Sequence, residues 1–171
     1  MNMIGEAFIA QSRSLLQDYL AKIERCLSLL NDEQIWWRAN PESNSIGNLL
    51  LHLSGNVRQW IVVGLGNAAD TRDRDAEFAQ REVISQSDLV ARLNQTLHEA
   101  DATLAAFDPE TLLQKFQIQG LEVPALEAIL HVVEHFSMHT GQIILMAKMF
   151  AQIDLEFYDF KGAVPVPTWK P

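Results

Sequence analysis

The sequence contains a single cysteine, Cys26, so the chain has no second thiol with which to close an internal disulfide. It also lacks any run of about 18 apolar residues, which is the length that a membrane-spanning helix needs. The first residues, MNMIGEAFIAQSRS, show neither the basic start nor the long apolar stretch of a signal peptide. These absences predict a protein without disulfides or membrane spans, and they make the cytoplasm the expected compartment.

Positive charge is scarce as well. The 171 residues include 13 Lys and Arg against 22 Asp and Glu, which gives a formal net charge of −9. No stretch gathers basic residues into a local patch, and an acidic surface repels a phosphate backbone. Nucleic acid is therefore not an expected partner. The length and the 48% of hydrophobic residues predict one globular domain over residues 1–171.

Apolar residues recur at steps of three and four in four segments, which is the period of one helix face. These segments cover residues 6–30, about 45–63, 85–107 and about 125–153. Residues suited to begin the last three helices are Asn44 or Ser45, Ser85 or Ser87, and Pro124 with Ala125. Four amphipathic helices predict an all-α fold, built as a four-helix bundle.

The segments between the helices differ in length and composition. NDEQ at 31–34 is expected to end the first helix, and WWRANPESNS at 36–45 to form a loop. The polar connection 67–84 is too long for a tight turn and leaves room for a crossover along the bundle. Residues 115–124 alternate weakly around a glycine and predict a short hairpin or an extended loop. The Pro-rich tail at 154–171 is expected to be irregular.

Three of the five histidines, His131, His135 and His139, fall four residues apart in the apolar stretch HVVEHFSMHTGQI. Side chains four residues apart lie on one helix face, so an adjacent pair, 131/135 or 135/139, can hold one ion. The full span is about 12 Å along the axis, too far for three bonds of about 2 Å to one metal. His52, at the edge of the second helix's apolar face, is the expected third ligand.

Other polar and aromatic residues have several possible roles. Amide and carboxylate side chains that would orient the imidazoles are Asn48, Asn56, Glu134 and Gln142. His98 shares a polar helix face and should be solvated, whereas Cys26 lies on an apolar face and should be a small core residue. Trp36 and Trp37 would either line the mouth of a pocket or cover one end of the bundle. Glu134 points about 100° away from the neighbouring histidine, so no general base is evident.

Two stretches resemble the DinB-like superfamily, bacterial four-helix metal-binding proteins that include YfiT-type metal-dependent hydrolases. One is NSIGNLLLHLSGNVRQW at 44–60. The other is HVVEHFSMHTGQI at 131–143, where an H-x-x-x-H pair is followed closely by Gly-Gln. With the helix layout, the resemblance extends over residues 1–153. It implies a four-helix bundle of DinB/YfiT-like type with a long crossover between the second and third helices.

The resemblance also implies a three-histidine site for a divalent metal ion, zinc, nickel or another. Its ligands correspond to His52 and to the pair that precedes Gly-Gln, His135 and His139, which leaves His131 as a neighbour. Some relatives of this kind use the metal in thiol-dependent transfer, for example with bacillithiol or mycothiol, one is an isomerase, and many have no known substrate. The implied partners are therefore a small thiol or another small-molecule substrate.

Three neutral imidazoles leave an open position on a metal, as catalytic sites do. Such a metal lowers the pKa of water toward about 7 and deprotonates a thiol. Three functions stay open: a metal-dependent thiol transferase, a metal-dependent hydrolase, and a stress-associated metal-binding protein without turnover. Family habit, the long amphipathic helices and Trp169 near the tail also predict a homodimer.

Overall fold

The computed structural model describes residues 2–169. Its α-helices, in chain order, are α1 (Met3–Leu27), α2 (Asp32–Trp36), α3 (Ile46–Val57), α4 (Arg74–Ala79), α5 (Gln86–Ala105) and α6 (Ala125–Ala151). Helix α3 continues directly into a π-helical segment, Arg58–Val63, and a 3₁₀ turn spans Pro109–Thr111. The long helices α1, α3, α5 and α6 form the bundle, which confirms the predicted all-α, four-helix fold.

The bundle places its first two long helices at opposite corners. Helix α1 packs against α5 and α6, and α3 packs against the same two helices. Large apolar side chains fill the core between them and are almost fully buried: Ile23, Leu27, Leu50, Leu53, Leu93, Leu97 and Phe136. The crossover, predicted over 67–84, extends over residues 64–85. It folds back so that α4 packs against α3, which brings polar residues of the crossover beside the bundle.

Side-chain caps explain where the long helices begin. The hydroxyl of Ser45 accepts a hydrogen bond from the backbone N–H of Asn48, whose own side chain accepts from the Ser45 N–H. Ser85 caps α5 through the backbone N–H of Asp88. These side-chain acceptors satisfy backbone N–H groups that have no partner within a helix. Both caps are among the residues expected at these starts.

Two short helices were not predicted. The stretch NDEQ, expected only to end the first helix, also begins α2, because Asn31 and Gln34 form a reciprocal cap. The polar connection 67–84 contains α4, which begins after Asp73, whose carboxylate accepts from the N–H of Ala76. Five- and six-residue helices are too short to show an apolar period, and their caps are their main signal.

The segment between α5 and α6 is a hairpin, one of the two predicted forms. Strand β1 (Lys115–Ile118) pairs antiparallel with β2 (Leu121–Pro124). The two turn residues both have positive φ, 53° at Gln119 and 77° at Gly120. This backbone matches the twist of a tight hairpin, and it explains the glycine.

The tail differs from the irregular chain that was expected. Strands β3 (Tyr158–Asp159) and β4 (Val166–Pro167) form a small antiparallel pair. The tail is joined to α1, because Arg25 Nε donates to the backbone oxygen of Leu155 at 3.0 Å. The predicted ranges 1–171 and 154–171 include residues 1, 170 and 171, which lie outside the described residues. From residue 2 to residue 169, no helix has the length and apolar character that a membrane span requires.

Candidate metal centre

Three histidines from two helices meet at one point. His52 comes from α3, and His135 and His139 come from successive turns of α6. The Nε2 atom of His135 lies 3.1 Å from Nε2 of His52 and 3.1 Å from Nε2 of His139. One nitrogen from each ring falls within 4.8 Å of the other two. Of the two pairs that the spacing allowed, the structure brings 135/139 together with His52.

Helix α3 holds its ligand below the surface. Every residue from Ile46 to Val57 is buried, since the bundle covers one face and α4 covers another. His52 is only 6% exposed. His135 and His139 are partly buried. A buried imidazole must satisfy its polar atoms within the protein, so the partners of each ring determine what it can bind.

An ion pair from the crossover holds His52. The Nδ1 atom of His52 lies 3.0 Å from Glu77 Oε2. Arg72 donates to both oxygens of Glu77, from Nε at 2.8 Å and from Nη2 at 2.9 Å. Burial raises the pKa of Glu77, but the hydrogen bonds from Arg72 and His52 outweigh it and hold the pKa below its ordinary value. Glu77 is therefore ionised and accepts only.

The Glu77 carboxylate fixes the tautomer of His52. Because an ionised carboxylate has no proton to donate, the hydrogen must lie on Nδ1 of His52. Arg72 Nη2 also approaches Nδ1 at 3.1 Å, but both atoms are donors, so its hydrogen belongs to Glu77. The Nε2 atom is left with a lone pair that faces the other two rings. A carboxylate behind a histidine is the usual way to orient a metal ligand.

Gln142 does the same for His139. Its side-chain oxygen lies 2.7 Å from His139 Nδ1, so Nδ1 donates and Nε2 keeps its lone pair. Gln142 was among the residues expected to orient an imidazole. Asn56 instead approaches His131, at 3.4 Å. Asn48 bonds Ser45 and the backbone of the crossover, and Glu134 is exposed on α6.

His135 lies between the other two rings. Burial, and then the neighbouring imidazoles, lower its pKa to about 3. Burial also lowers the pKa of His139, against the opposing hydrogen bond from Gln142. Both rings are therefore neutral at neutral pH, which is the form that binds metals. The buried Nδ1 of His135 has no hydrogen-bond partner among the described residues.

The donor set fits a divalent cation. The Nε2 atoms of His52 and His139 both carry lone pairs, and each lies 3.1 Å from Nε2 of His135. A single proton on His135 Nε2 can satisfy only one of these two contacts. A cation among the three nitrogens satisfies all of them, and imidazole is a common ligand for zinc, copper, iron and nickel.

His131 lies outside this cluster. Its ring packs against Trp60, with centroids 4.1 Å apart, and stacks on His135 at 5.5 Å with planes 25° apart. The ring of His131 thus lies next to that of His135 along α6, outside the three converging nitrogens. Its position on the same helix face explains why spacing alone gave two possible pairs.

A cavity of about 370 Å³ opens beside His139. Gln142 and Trp37 also line it. Trp36 and Trp37 differ in position. Trp37 is 39% exposed at the cavity, whereas Trp36 is buried and its Nε1 donates to the backbone oxygen of Ile84. Trp37 thus lines a pocket, one of the two predicted positions, and Trp36 is part of the hydrophobic core.

His98 and Cys26 both lie outside the histidine cluster. His98 is exposed on α5, as predicted. Cys26 is buried, and burial raises the pKa of its thiol to about 11. A thiol that stays protonated at neutral pH is a poor nucleophile, so Cys26 belongs to the core.

The bundle and its partly buried histidine cluster define a class, the four-helix proteins with a candidate metal centre. The sequence matches the family described as "Protein of unknown function (DUF1572)" over residues 3–159, and the chain belongs to that family. No curated protein sequence matches it.

Two solved structures share the fold. One is a conserved protein from Enterococcus faecalis, 15% identical, with a TM-score of 0.73 over 84% of this chain and 97% of that one. The other is a DinB-like protein from Bacillus cereus, 17% identical, with a TM-score of 0.61 over 82% of this chain and 93% of that one. At these identities the likeness concerns the fold.

Proposed function

We propose that the chain binds one divalent metal ion through the Nε2 atoms of His52, His135 and His139. One observation carries this proposal: three imidazole nitrogens converge on one point. Hydrogen bonds at Nδ1 of His52 and of His139 leave the Nε2 lone pairs of these two rings directed toward that point. Zinc and nickel are the proposed ions, since imidazole suits both. Three protein ligands leave a coordination position open, as in catalytic zinc sites.

We further propose that the site is catalytic and that the reaction is a thiol-dependent transfer. When bound, such an ion supplies a Lewis acid that favours loss of a proton from a thiol or a water molecule. The chain orients the ligands through Glu77 and Gln142 and provides the cavity beside His139. Metal-dependent hydrolysis is the second candidate, and the cavity favours it equally.

Metal analysis of matched variants tests the ligand set. Wild-type protein should hold about one ion per chain, and His52→Ala and His135→Ala should hold none. His139→Gln should also lose the ion. His131→Gln should still saturate, with an affinity reduced by at most about 10–100-fold, because it removes a neighbour and not a ligand.

The His131 and His139 variants control for each other, since the same substitution is made on one face of one helix. If His131→Gln abolishes binding and His139→Gln preserves it, the ligand pair is 131/135 and the assignment is wrong. Full stoichiometry in His52→Ala would remove α3 from the site altogether.

Turnover separates transfer, hydrolysis and simple binding. The metal-loaded protein is assayed with an activated aryl chloride plus a small thiol, and separately with an activated aryl ester. His135→Ala is the blank for both. Turnover of the chloride that needs thiol and His135 supports transfer, and ester cleavage without thiol supports hydrolysis. The predicted homodimer is measured by light scattering against the 19.3 kDa of one chain.

A further inference from the structure

A second cavity, of about 250 Å³, lies where α3, α5 and the crossover meet. Three of the chain's eight arginines border it, each from a different element. Arg58 begins the π-helical segment, Arg72 belongs to the crossover and Arg92 lies on α5. None of the three converging histidines lines this cavity. The fold thus gathers arginines that are far apart in the sequence, at a place separate from the candidate metal centre.

Three carboxylates also border the cavity, and each is already engaged within the chain. Glu77 accepts two hydrogen bonds from Arg72. Asp70 accepts from the side chain of Gln59 at 2.8 Å and from the backbone N–H of Arg72 at 3.0 Å. Asp73 caps the start of α4. The carboxylates therefore hold the crossover in its folded form, and the charge of Arg72 is compensated by Glu77.

Arg58 and Arg92 are not compensated in this way. Neither guanidinium forms a hydrogen bond or an ion pair with any of the described residues. The Nη1 atom of Arg58 is buried. A buried donor without an acceptor is costly, and more so when it carries charge. Such an atom is rare in folded proteins and points to an acceptor from outside the chain.

Two threonines add neutral donors to the same cavity. Thr96 lies one turn after Arg92 on the same face of α5, and Thr71 belongs to the crossover. Neither hydroxyl has a hydrogen-bond partner among the described residues. A guanidinium has five N–H donors and no acceptor, and a hydroxyl can donate as well. The polar groups that remain unused are therefore mainly donors, which suits an oxyanion.

The backbone that carries Arg58 is also unusual. Arg58 and Gln59 are the first two residues of the π-helical segment, and both line the cavity. π-Helical turns are rare, and those that interrupt α-helices occur frequently at functional sites. The change in helix geometry thus begins at the residue whose guanidinium lacks a partner, which is a second and independent indication of a site.

We propose that this cavity binds a small dianion, a phosphate or a dicarboxylate, through the guanidiniums of Arg58 and Arg92. Planar guanidiniums donate paired hydrogen bonds to the oxygens of both groups. Three arginines and three carboxylates border the cavity, so recognition depends on the free donors and not on an overall positive charge. The volume lies below the range of drug-sized ligands, roughly 300–1,000 Å³, so the dianion has few heavy atoms.

Calorimetric titration of metal-free protein, dialysed free of chelator, tests the proposal without any contribution from a metal ion. The probes are inorganic phosphate, succinate and succinamide, at a salt concentration of about 0.15 M. Phosphate, succinate or both should bind with a Kd of about 1 mM or lower. Succinamide has the shape of succinate without its charge, so it should bind at least about tenfold more weakly. The probe that binds identifies the oxyanion group.

Three arginine variants show whether particular donors are responsible. Arg58→Gln and Arg92→Gln should each raise Kd at least about tenfold, because each removes a charged donor. Arg74→Gln is the matched control, since Arg74 is exposed on α4 and does not line the cavity. It removes the same charge from a screened position and should change Kd less than about twofold.

Urea unfolding separates binding from a structural role of Arg58. The better-bound anion should raise the free energy of unfolding of the wild type but not of Arg58→Gln. Without anion the two proteins should unfold alike, because the substitution removes an unpartnered guanidinium. If Arg58→Gln is already less stable without anion, Arg92→Gln decides, since Arg92 is exposed.

Three results would overturn the proposal. The first is that neither phosphate nor succinate binds. The second is that succinamide binds as tightly as succinate, which would make the charge irrelevant. The third is an equal loss of affinity in Arg92→Gln and Arg74→Gln, which would attribute the effect to the overall charge of the protein.

Discussion

At the scale of single residues, the protonation of His52 depends on one carboxylate of the crossover. Glu77 is 6% exposed, ionised and held by Arg72, so it can only accept the proton on Nδ1. Glu77→Gln should weaken metal binding by about 10–100-fold with the stoichiometry kept, since the amide can donate to Nδ1 and reverse the tautomer. Competition with a chromophoric chelator measures the affinity.

Glu134→Gln is the control for this prediction. Glu134 precedes His135 in sequence but is exposed, so the substitution removes the same charge close to the site and leaves the hydrogen bond between Glu77 and His52 in place. Its affinity should match the wild type. Equal losses in the two variants would mean that overall charge, and not the hydrogen bond from His52, explains the effect.

Residue patterns predicted part of this site. The four-residue spacing on α6 left two pairs open, and the place of His52 on an apolar helix made it the expected third ligand. The resemblance to the DinB-like superfamily then selected His135 and His139, which the structure brings together with His52. Glu77 and Arg72 were missed, because they lie 25 and 20 residues from His52 in a polar segment without a period. A carboxylate in such a segment looks solvated until the chain folds back over α3.

At the scale of elements, a glycine sets the distance between α3 and the crossover. A Cβ atom on Gly55 would lie 1.9 Å from Glu77 Oε1 and 2.8 Å from Arg72 Nε. Gly55→Ala should therefore displace the ion pair from His52. We expect a loss of metal affinity of at least about tenfold, the scale of losing a residue that orients a ligand. The same chelator competition measures it.

Gly141→Ala is the matched control on α6. No atom of the described residues lies within 4 Å of a Cβ at Gly141, although this residue is two positions from His139. Metal affinity should be unchanged, and the free energy of unfolding should rise by about 0.5–1 kcal/mol, since Ala favours a helix over Gly. Wild-type affinity in Gly55→Ala would show that the Glu77 carboxylate can shift without releasing His52.

Elements differed in how well the sequence predicted them. The four long helices follow from their apolar period over many turns. The π-helical segment Arg58–Val63 was not anticipated, because one additional residue in a turn barely alters that period. The tail was expected to be irregular because it is rich in proline. Its two-residue strands pair with each other, and strands this short in a Pro-rich segment give no strand pattern in the sequence.

At the scale of the whole molecule, the three partly buried histidines of α6, His131, His135 and His139, make the free energy of unfolding depend on pH. The folded pKa of His135 is about 3, and burial also lowers those of His131 and His139. Below the ordinary histidine pKa of about 6.5, these side chains bind protons in the unfolded chain but stay neutral in the folded chain. The free energy of unfolding of metal-free protein should therefore fall as pH decreases from 7 to 4.

Urea unfolding in the presence of a chelator measures this dependence. His135→Gln should make the loss between pH 7 and pH 4 smaller, because it removes the most strongly shifted histidine. His98→Gln should leave it unchanged, since His98 is exposed. An increase in stability on acidification would contradict the prediction, as would an equal reduction in the two variants.

The crossover that folds back over α3 has a thermodynamic consequence. Its ordering requires closing a long loop, an entropic cost that contacts such as the one between Glu77 and His52 must offset. The same hydrogen bond leaves the Nε2 lone pair of His52 available to bind a cation. A cation at the proposed site and the crossover would thus both bind α3, and each would raise the affinity of the other for α3 by the same factor, because coupling between binding events is reciprocal.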